Sequence, residues 1–531
     1  MRMRDADADA DASDDDASVD AIDAPLLPAR AREERLDDAD AVGADASALS
    51  TARAMRAVAA LGSPLIVQYV STSLSSTFAL SLLSRASGEA GVAAYSMGNI
   101  ACSLTAHSVI WGLGAGVDTL SSQANGRGRV RAVGETAARA TVILWVCAAA
   151  PGGWLFWRAA TWLRWFGVDA SVADDVQAFA RVRIPGLFTQ CVTCVALKTM
   201  MAMKLSKRVG VLSVSTTPLK FAAPWFFVRR YGLHGAALSL TSVDFGTCAM
   251  YLTAFWTSAR CRETFRGVSV SSAFRGWFSY LKLAVPGLFM QAIEWWSWDF
   301  NTIIAGMCDK ATLELASQAF LSNTYFFFYS WACVWSRGAS TSVGNALGER
   351  NIRDAATLTR STAMLSFAFA LSSAALFYVY ADALFATYTS DQNIVSRLDE
   401  LVPMLSVLIV TDGVQVAVSG VIVGAGYQAV TTPILVFAYW VVGIPLATYL
   451  ALGRPKMGLY GVWLGIITSS SIHLVWNLLI CFAGRLGVPF AIRWNEACEK
   501  ATARLDADEK LESAATGDSA SGSDDEAVEN L

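Results

Sequence analysis

The chain has 531 residues, of which 54% are hydrophobic and only 16% charged. A soluble protein carries about 25% charged residues, so this composition excludes an ordinary soluble globule and belongs to a membrane protein. The net charge of −4 hides two acidic ends, with 15 acids and 6 bases in residues 1–53 and 11 and 3 in residues 496–531, around a basic middle of 19 acids and 32 bases.

The N-terminal stretch "DADADADASDDDASVDAIDAP" has no apolar period and repels itself, which reads as a disordered acidic tail over residues 1–53. It is too acidic for a transit peptide, and no secretory apolar region opens the chain. Asp23-Ala-Pro-Leu26-Leu27 matches a dileucine sorting pattern, which also arises by chance in a tail of this length. Beyond it, segments long and apolar enough to cross a bilayer as helix centre near residues 70, 104, 147, 188, 217, 246, 292, 326, 367, 409, 439 and 471. These twelve spans predict an all-α polytopic membrane protein of two six-helix lobes, 54–258 and 277–485. A loop, 259–276, joins the lobes, and a second acidic tail, 486–531, ends the chain, with "GDSASGSDDEAVEN" also reading as disordered. On this reading the tails are dispensable for transport and residues 50–495 suffice.

An even number of spans puts both tails on one side. The connections on that side hold Arg127, Arg129, Arg131 and Arg139, then Lys204, Lys207 and Arg208, then Arg260, Arg262, Arg266 and Arg275, then Arg350, Arg353 and Arg360. The positive-inside rule therefore places the tails in the cytosol, although Arg158, Arg164, Arg229 and Arg230 fall on the other side. Ten cysteines are scattered through the apolar segments, and the one close pair, Cys191-x-x-Cys194, has no second ligand pair. No phosphate loop, HExxH or GxSxG motif is present. The chain reads as neither an enzyme nor a binder of metal, organic cofactor or nucleic acid.

A repeat organises the spans. Shifted by 222 residues, Leu61-x-x-Pro64 falls on Leu283-x-x-Pro286, and Gly116, Thr119, Ala124, Gly126 and Arg131 fall on Gly338, Thr341, Ala346, Gly348 and Arg353. With a slightly longer shift, "GLHGAAL" at 232–238 meets "GLYGVWL" at 458–464. An even-numbered repeat keeps its orientation, so the two lobes are expected to be parallel and related by pseudo-twofold symmetry, the architecture of an alternating-access transporter.

On these residues the chain resembles the multidrug and toxic compound extrusion family, nearest its eukaryotic branch, over about residues 57–485. "GLGAGVDTLSSQANGRG" (112–128) is similar to that branch's second-helix motif, with Gln123, Ala124 and Gly126 matching and Ser122 in place of Gly. "EWWSWD" (294–299) resembles the seventh-helix motif, with Glu294 at its acidic position and Asp299 where Glu is usual. "STSVGNALGERN" (340–351) resembles the segment after the eighth helix, with Glu349-Arg350 where Ala-Gly is common. "TDGVQVAVSGVIVGAGYQ" (411–428) and "GIP" (443–445) match helices ten and eleven. The resemblance implies cation-coupled efflux of organic compounds, with the acids of helices seven and ten as coupling site. Asn323 stands where some animal members carry a further acid.

Intramembrane acids are costly, by about 2.5–3.5 kcal/mol on insertion scales, and mark function until a partner is found. Glu294, Asp299 and Asp412 lie in the second half, Asp118 and Asp244 in the first. Asp118 stands near the end of its span and fits a loop-fixing role; Asp244 fits an interhelical hydrogen bond. Glu294 and Asp299 are five apart, about 140° around a straight helix and roughly 7.5 Å along it. Glu294 is therefore expected to face the cleft, with Asp299 at its edge or paired across to another helix; Pro286, eight residues before Glu294, is a candidate kink in the same helix. The alternative is that both are structural acceptors. A carboxylate held away from water keeps its proton at higher pH than a solvated one, so a cation and a proton competing for Glu294, assisted by Asp412, would be exchanged. Sodium is the other candidate coupling ion.

Gln123, Asn323, Trp295, Trp298 and Tyr325 are candidate cavity-lining residues. Trp295, Trp296 and Trp298, with Tyr325, Tyr329 and Trp331, are able to stack organic cations, with packing as the alternative. Gly420-x-x-x-Gly424 and Gly112-x-x-x-Gly116 suit close helix approach, and His107 and His473 suit satisfied hydrogen bonds. The expected function is export of organic cations or secondary metabolites by proton-coupled antiport, by a monomer in lipid, in a plasma or vacuolar-type membrane. Alternatives are an organic-anion exporter of citrate type, favoured if Arg337 and Lys198 face the cleft, and, from other classes, a lipid-precursor flippase or a membrane sensor.

Overall fold

A backbone in lipid must satisfy its own polar groups, and helix does this locally. The computed structural model describes residues 49–516 apart from 166–169, 310 and 389–391, so Leu26-Leu27 and the stretch 517–530 lie outside the described residues. Among these residues, no strand occurs. The helices are α1 Thr51–Ser87, α2 Ala94–Gly126, α3 Val130–Trp157 and α4 Ala170–Ala202. One helical stretch, Ser206–Thr257, breaks at Gly232 into α5 (206–231) and α6 (233–257). Then come α7 Trp277–Gly306, α8 Ala311–Gly348 and α9 Ile352–Tyr388. The last three spans are α10 Gln392–Ala425, α11 Gln428–Leu452 and α12 Leu459–Phe482. Eight of the twelve, α1–α4 and α9–α12, are apolar enough to cross a membrane on composition alone. The other four carry Lys220, Asp244, Glu294, Asp299 and Arg337 within them.

The repeat is written into the backbone. Gly232 and Gly458 break the chain in the same way, at φ 55°, ψ −127° and φ 59°, ψ −137°; only glycine takes such angles without strain. At the 222-residue offset, Gly128 and Arg350 share a left-handed φ of 73° and 59°, and Lys204 and Gly426 one of 62° and 76°. The packing is reciprocal as well. A side chain on Gly126 would strike the backbone of Asn345, and one on Gly348 the backbone of Gln123, the residue equivalent to Asn345. Contacts of this reciprocal form arise across a twofold axis. α1–α6 and α7–α12 are thus two parallel six-helix lobes.

Each lobe has its own apolar core. That of the first includes Ile110, Leu120, Phe156 and Phe179, and that of the second Trp463, Phe385, Leu405 and Leu408. Large apolar side chains such as Trp154, Trp157, Phe226, Val379 and Tyr380 point outward, as a lipid-solvated surface requires.

The lobes clamp together at the end bearing the turns after α2 and α8. There Gln123 Nε2 donates to Gly424 O at 3.1 Å, Thr119 Oγ1 to Val423 O at 2.6 Å, and Asn125 Nδ2 to Asn345 Oδ1 at 2.5 Å. Both ends of the described chain lie here too, Leu49 N donating to Asp354 Oδ1 at 3.2 Å. The boundary at 486 needs correction. Trp494–Thr516 is a helix, α13, not part of an unstructured tail. It spans the clamp, taking a hydrogen bond from Arg127 at Thr502 (2.9 Å) and an ion pair from Arg129 at Asp506 (2.9 Å) on one lobe. On the other, Lys500 lies over the Tyr427 ring at 5.1 Å. Its apolar face, with Ala497, Cys498, Ala501 and Leu505 buried, outweighs the acidic composition that made it read as a tail.

Candidate functional site

Above the clamp the lobes part around a cleft holding about 720 Å³ of space, open solvent included. Its walls come from α2 and α4 on one side and α7, α8 and α10 on the other. Small residues let these helices converge: Gly112 lies against Leu288, Gly116 against the Tyr280 ring, and Gly420 and Gly424 against the α8 backbone at Ser336 and Ser340.

The cleft is bipolar. On the second lobe Glu294 lines the wall at 8% exposure, and its Oε1 has no hydrogen-bond partner. Its acidic neighbour is Asp412, set just behind the wall. Asp412 is fully engaged: Tyr325 Oη donates to Oδ2 at 2.5 Å and Ser470 Oγ to Oδ1 at 2.9 Å. From the cleft face of α10, polar contacts run inward. Gln415 Nε2 lies 3.2 Å from Ser419 Oγ and 3.4 Å from His473 Nε2, and Asn477 Nδ2 donates to Ser419 Oγ at 2.9 Å. Tyr439 Oη closes the other side of the His473 ring at 3.4 Å.

Opposite stands a cationic cluster. Asp118 Oδ2 accepts from Lys198 and, across the lobe boundary, from Arg337 Nη1 at 3.2 Å. The Arg337 guanidinium also lies over the Trp111 ring at 5.7 Å. Asp118 thus belongs to the cleft wall and binds two cations there, correcting its assignment to a loop. The spacing 118–198–337 carries no local signal, which is why the sequence left Lys198 and Arg337 open.

Of the eight candidate residues, the structure brings Glu294 and Asp412 together and sets the other six apart from the cleft. Asp299 is half-buried away from it, and no described hydrogen bond or ion pair engages it. Asn323 faces outward from α8. Gln123 is buried in the clamp. Tyr325 holds Asp412, and Trp298 stacks on Tyr325 at 4.3 Å and 21°, so both act behind the wall. Trp295 donates to Tyr329 Oη at 3.4 Å, leaving Tyr329 as the aromatic this lobe offers the cleft. The sequence reading missed Trp111, Gln291, Cys333 and Ser336 as lining residues; the helical step of four from Tyr329 through Cys333 to Arg337 was the available signal. Asp244 is held by Arg183 at 2.7 Å and Gln190 at 3.0 Å, an interhelical structural role, and Arg183 Nη2 also reaches His107 Nε2 at 3.3 Å.

Known proteins resemble this chain in sequence and fold. The MatE family model matches twice, over residues 64–225 and 286–449, with starting points 222 residues apart. Protein DETOXIFICATION 37 of Arabidopsis thaliana is 28% identical over 421 residues, covering 79% of this chain and 82% of its own. Multidrug and toxin extrusion protein 1 of Homo sapiens is 26% identical over 400 residues, covering 75% and 68%. The crystal structure of the eukaryotic MATE transporter AtDTX14 has the same fold, with a TM-score of 0.78 at 24% identity over 86% of this chain and 99% of that one.

Proposed function

Because the chain belongs to the MatE family of multidrug and toxic compound extrusion transporters, we propose that it exports organic cations or secondary metabolites in exchange for protons. Membership makes it a multi-pass membrane transporter rather than an enzyme, and two relatives are named for detoxification and for multidrug and toxin extrusion. The observation that carries the finer reading is the unpartnered Glu294 Oε1 on the cleft wall beside Asp412. A buried carboxylate without a partner is costly, and it is relieved by a proton or by a cation from the cleft. Only one of these occupies it at a time.

In the cycle that follows, the lobes closed at the clamp leave Glu294 reachable from the opposite side. With the clamp end in the cytosol, as its arginines argue, a proton arriving from outside displaces the substrate cation from Glu294. The neutral site then lets the lobes rock, and Glu294 releases its proton to the cytosol and takes the next cation. Asp412, held by Tyr325 and Ser470, sets the charge behind Glu294. Tyr329 supplies an aromatic face for the cation. The protein works as a monomer in a plasma or vacuolar-type membrane without an organic cofactor, and sodium is the alternative coupling ion.

One observation favours a second reading, an organic-anion exporter: Lys198 and Arg337 both line the cleft and share a single carboxylate. Reconstituted vesicles with an imposed pH gradient and a panel of labelled cations and anions separate the two. Cation exchange driven by the gradient supports the first reading, anion exchange the second, and exchange of neither removes both.

A further inference from the structure

The first lobe holds a separate chamber of about 1120 Å³, open space included, walled by α1, α2, α4, α5 and α6. The repeat makes it the counterpart of the second lobe's acidic site. Glu294 and Asp412 correspond at the 222-residue offset to Thr72 and Gln190, and Ser470 corresponds at the later offset of 226 to Asp244; all three counterparts line this chamber. Its charge is inverted. Arg183 and Asp244 neutralise each other, whereas Lys220, only 8% exposed, meets no carboxylate among the described residues. Lys220 Nζ donates to Thr72 Oγ1 at 2.9 Å, Ser71 Oγ at 3.1 Å and Gln68 O at 3.5 Å.

Much of the rest of the lining is acceptor in character, with the Tyr251 hydroxyl, left without a partner, available as a donor. Thr193, Ser213, Thr216 and Ser239 spend their hydroxyl hydrogens on carbonyls of their own helices, so their oxygens face the chamber as acceptors. Gln190 is fixed by its Nε2 on Asp244, and its Oε1 is left without a partner. A ligand suited to these walls carries one negative group for Lys220 and several hydroxyl donors for the acceptors around it. We propose that this chamber binds a polyhydroxylated organic anion, a carboxylate in size and character like a sugar acid, independently of the acids of the second lobe. A cation is disfavoured by the uncompensated Lys220 charge.

Binding can be read without transport, so a failure of proton-coupled export leaves the test intact. Labelled quinate, with one carboxylate and four hydroxyls, is titrated onto the purified full chain in detergent, with chloride and benzoate as competitors. Saturable quinate binding is expected, weakened at least tenfold by Lys220→Met and kept within a few-fold by Lys220→Arg. Thermal stability of Lys220→Met should equal or exceed that of wild type, because removing an unpaired buried charge relieves its desolvation; should that variant not fold, Lys220→Gln carries the same expectation for binding. The proposal is overturned if wild type does not bind quinate, if the neutral variants bind it as tightly, or if chloride or benzoate competes as well as quinate itself.

Discussion

Glu294→Gln removes the titrating group from the cleft while keeping its size and hydrogen-bonding capacity. The structure sets the size of the effect. Both Asp412 oxygens are already engaged, by Tyr325 and Ser470, whereas Glu294 Oε1 is free. Donors on both oxygens favour the charged form of Asp412, so the mechanism takes Glu294 as the exchanging group, with one proton displaced per bound cation. A cation competing with one proton loses tenfold in apparent affinity for each pH unit below the titration of the site, about 1.4 kcal/mol per unit. The sign follows: at high pH Glu294 is charged and binds the cation, and as pH falls the proton wins and the cation leaves. Equilibrium binding of a labelled organic cation to purified protein between pH 5 and 9 should give a limiting slope of one for wild type and a flat line for Glu294→Gln. The variant should still fold, since no described hydrogen bond to Oε1 is lost. A wild-type slope of two, or a variant with an unchanged profile and intact proton-driven transport, would refute the mechanism and leave Glu294 a structural acceptor.

Asp299→Asn, away from the cleft, should leave that slope at one; a flattened profile would return Asp299 to the coupling site. Gly348→Val places a side chain against the Gln123 backbone, and overpacking of that kind costs about 1–3 kcal/mol, enough to cut transport tenfold in vesicles while each lobe still folds; a wild-type rate would show that the clamp need not close. Asp244→Asn strips the charge partner from buried Arg183, and breaking such a pair costs about 3–5 kcal/mol, less here because Asp244 retains 16% exposure. The melting temperature in detergent should fall clearly, and an unchanged one would make the pair dispensable. Removing residues 494–531 should slow exchange several-fold, whereas Asp506→Ala, which loses one exposed pair worth at most about 1 kcal/mol, should stay within twofold of wild type. Full transport by the trimmed chain would mean α13 contributes nothing.

The spans, their number and their pairing into lobes were legible because each rests on a local property: apolar length, basic connections, and glycines or prolines at a fixed offset. Gly126 and Gly348 are readable from sequence because a backbone contact tolerates nothing larger, whichever helix supplies it. The nearness of Glu294 and Asp412 was half legible, through their positions in the quoted motifs. Asp299 and Asn323 entered the candidate list through motif positions and Trp295 and Trp298 as aromatics beside Glu294, but a membrane helix surrounded by neighbours and lipid presents each face to a different environment. Five residues from Glu294, α7 already looks elsewhere. The cluster of Asp118, Lys198 and Arg337 was illegible for the converse reason, since its members lie 80 and 139 residues apart and Arg337 reaches Asp118 from the other lobe.

The repeat explains why the two lobes keep one backbone and differ in chemistry. Changing a residue at a break or a crossing is expensive: the φ of 55° at Gly232 or 59° at Gly458 resists any side chain, and Gly126 and Gly348 have none to spare room for. A chamber-lining residue faces space or a mobile ligand, so exchanging Thr72 for the acid that Glu294 presents alters charge without displacing a neighbour. Charge can therefore diverge between equivalent positions while φ, ψ and crossings stay paired. The consequence is a division of labour. The second lobe presents a carboxylate with an unpartnered oxygen to the cleft, and the first buries an ammonium hydrogen-bonded only to neutral groups, with Trp111 on the wall common to both spaces. The Arg337 guanidinium, from the second lobe, rests over that tryptophan. Rocking of the lobes that moves Arg337 from Trp111 and Asp118 alters the wall of both compartments at once.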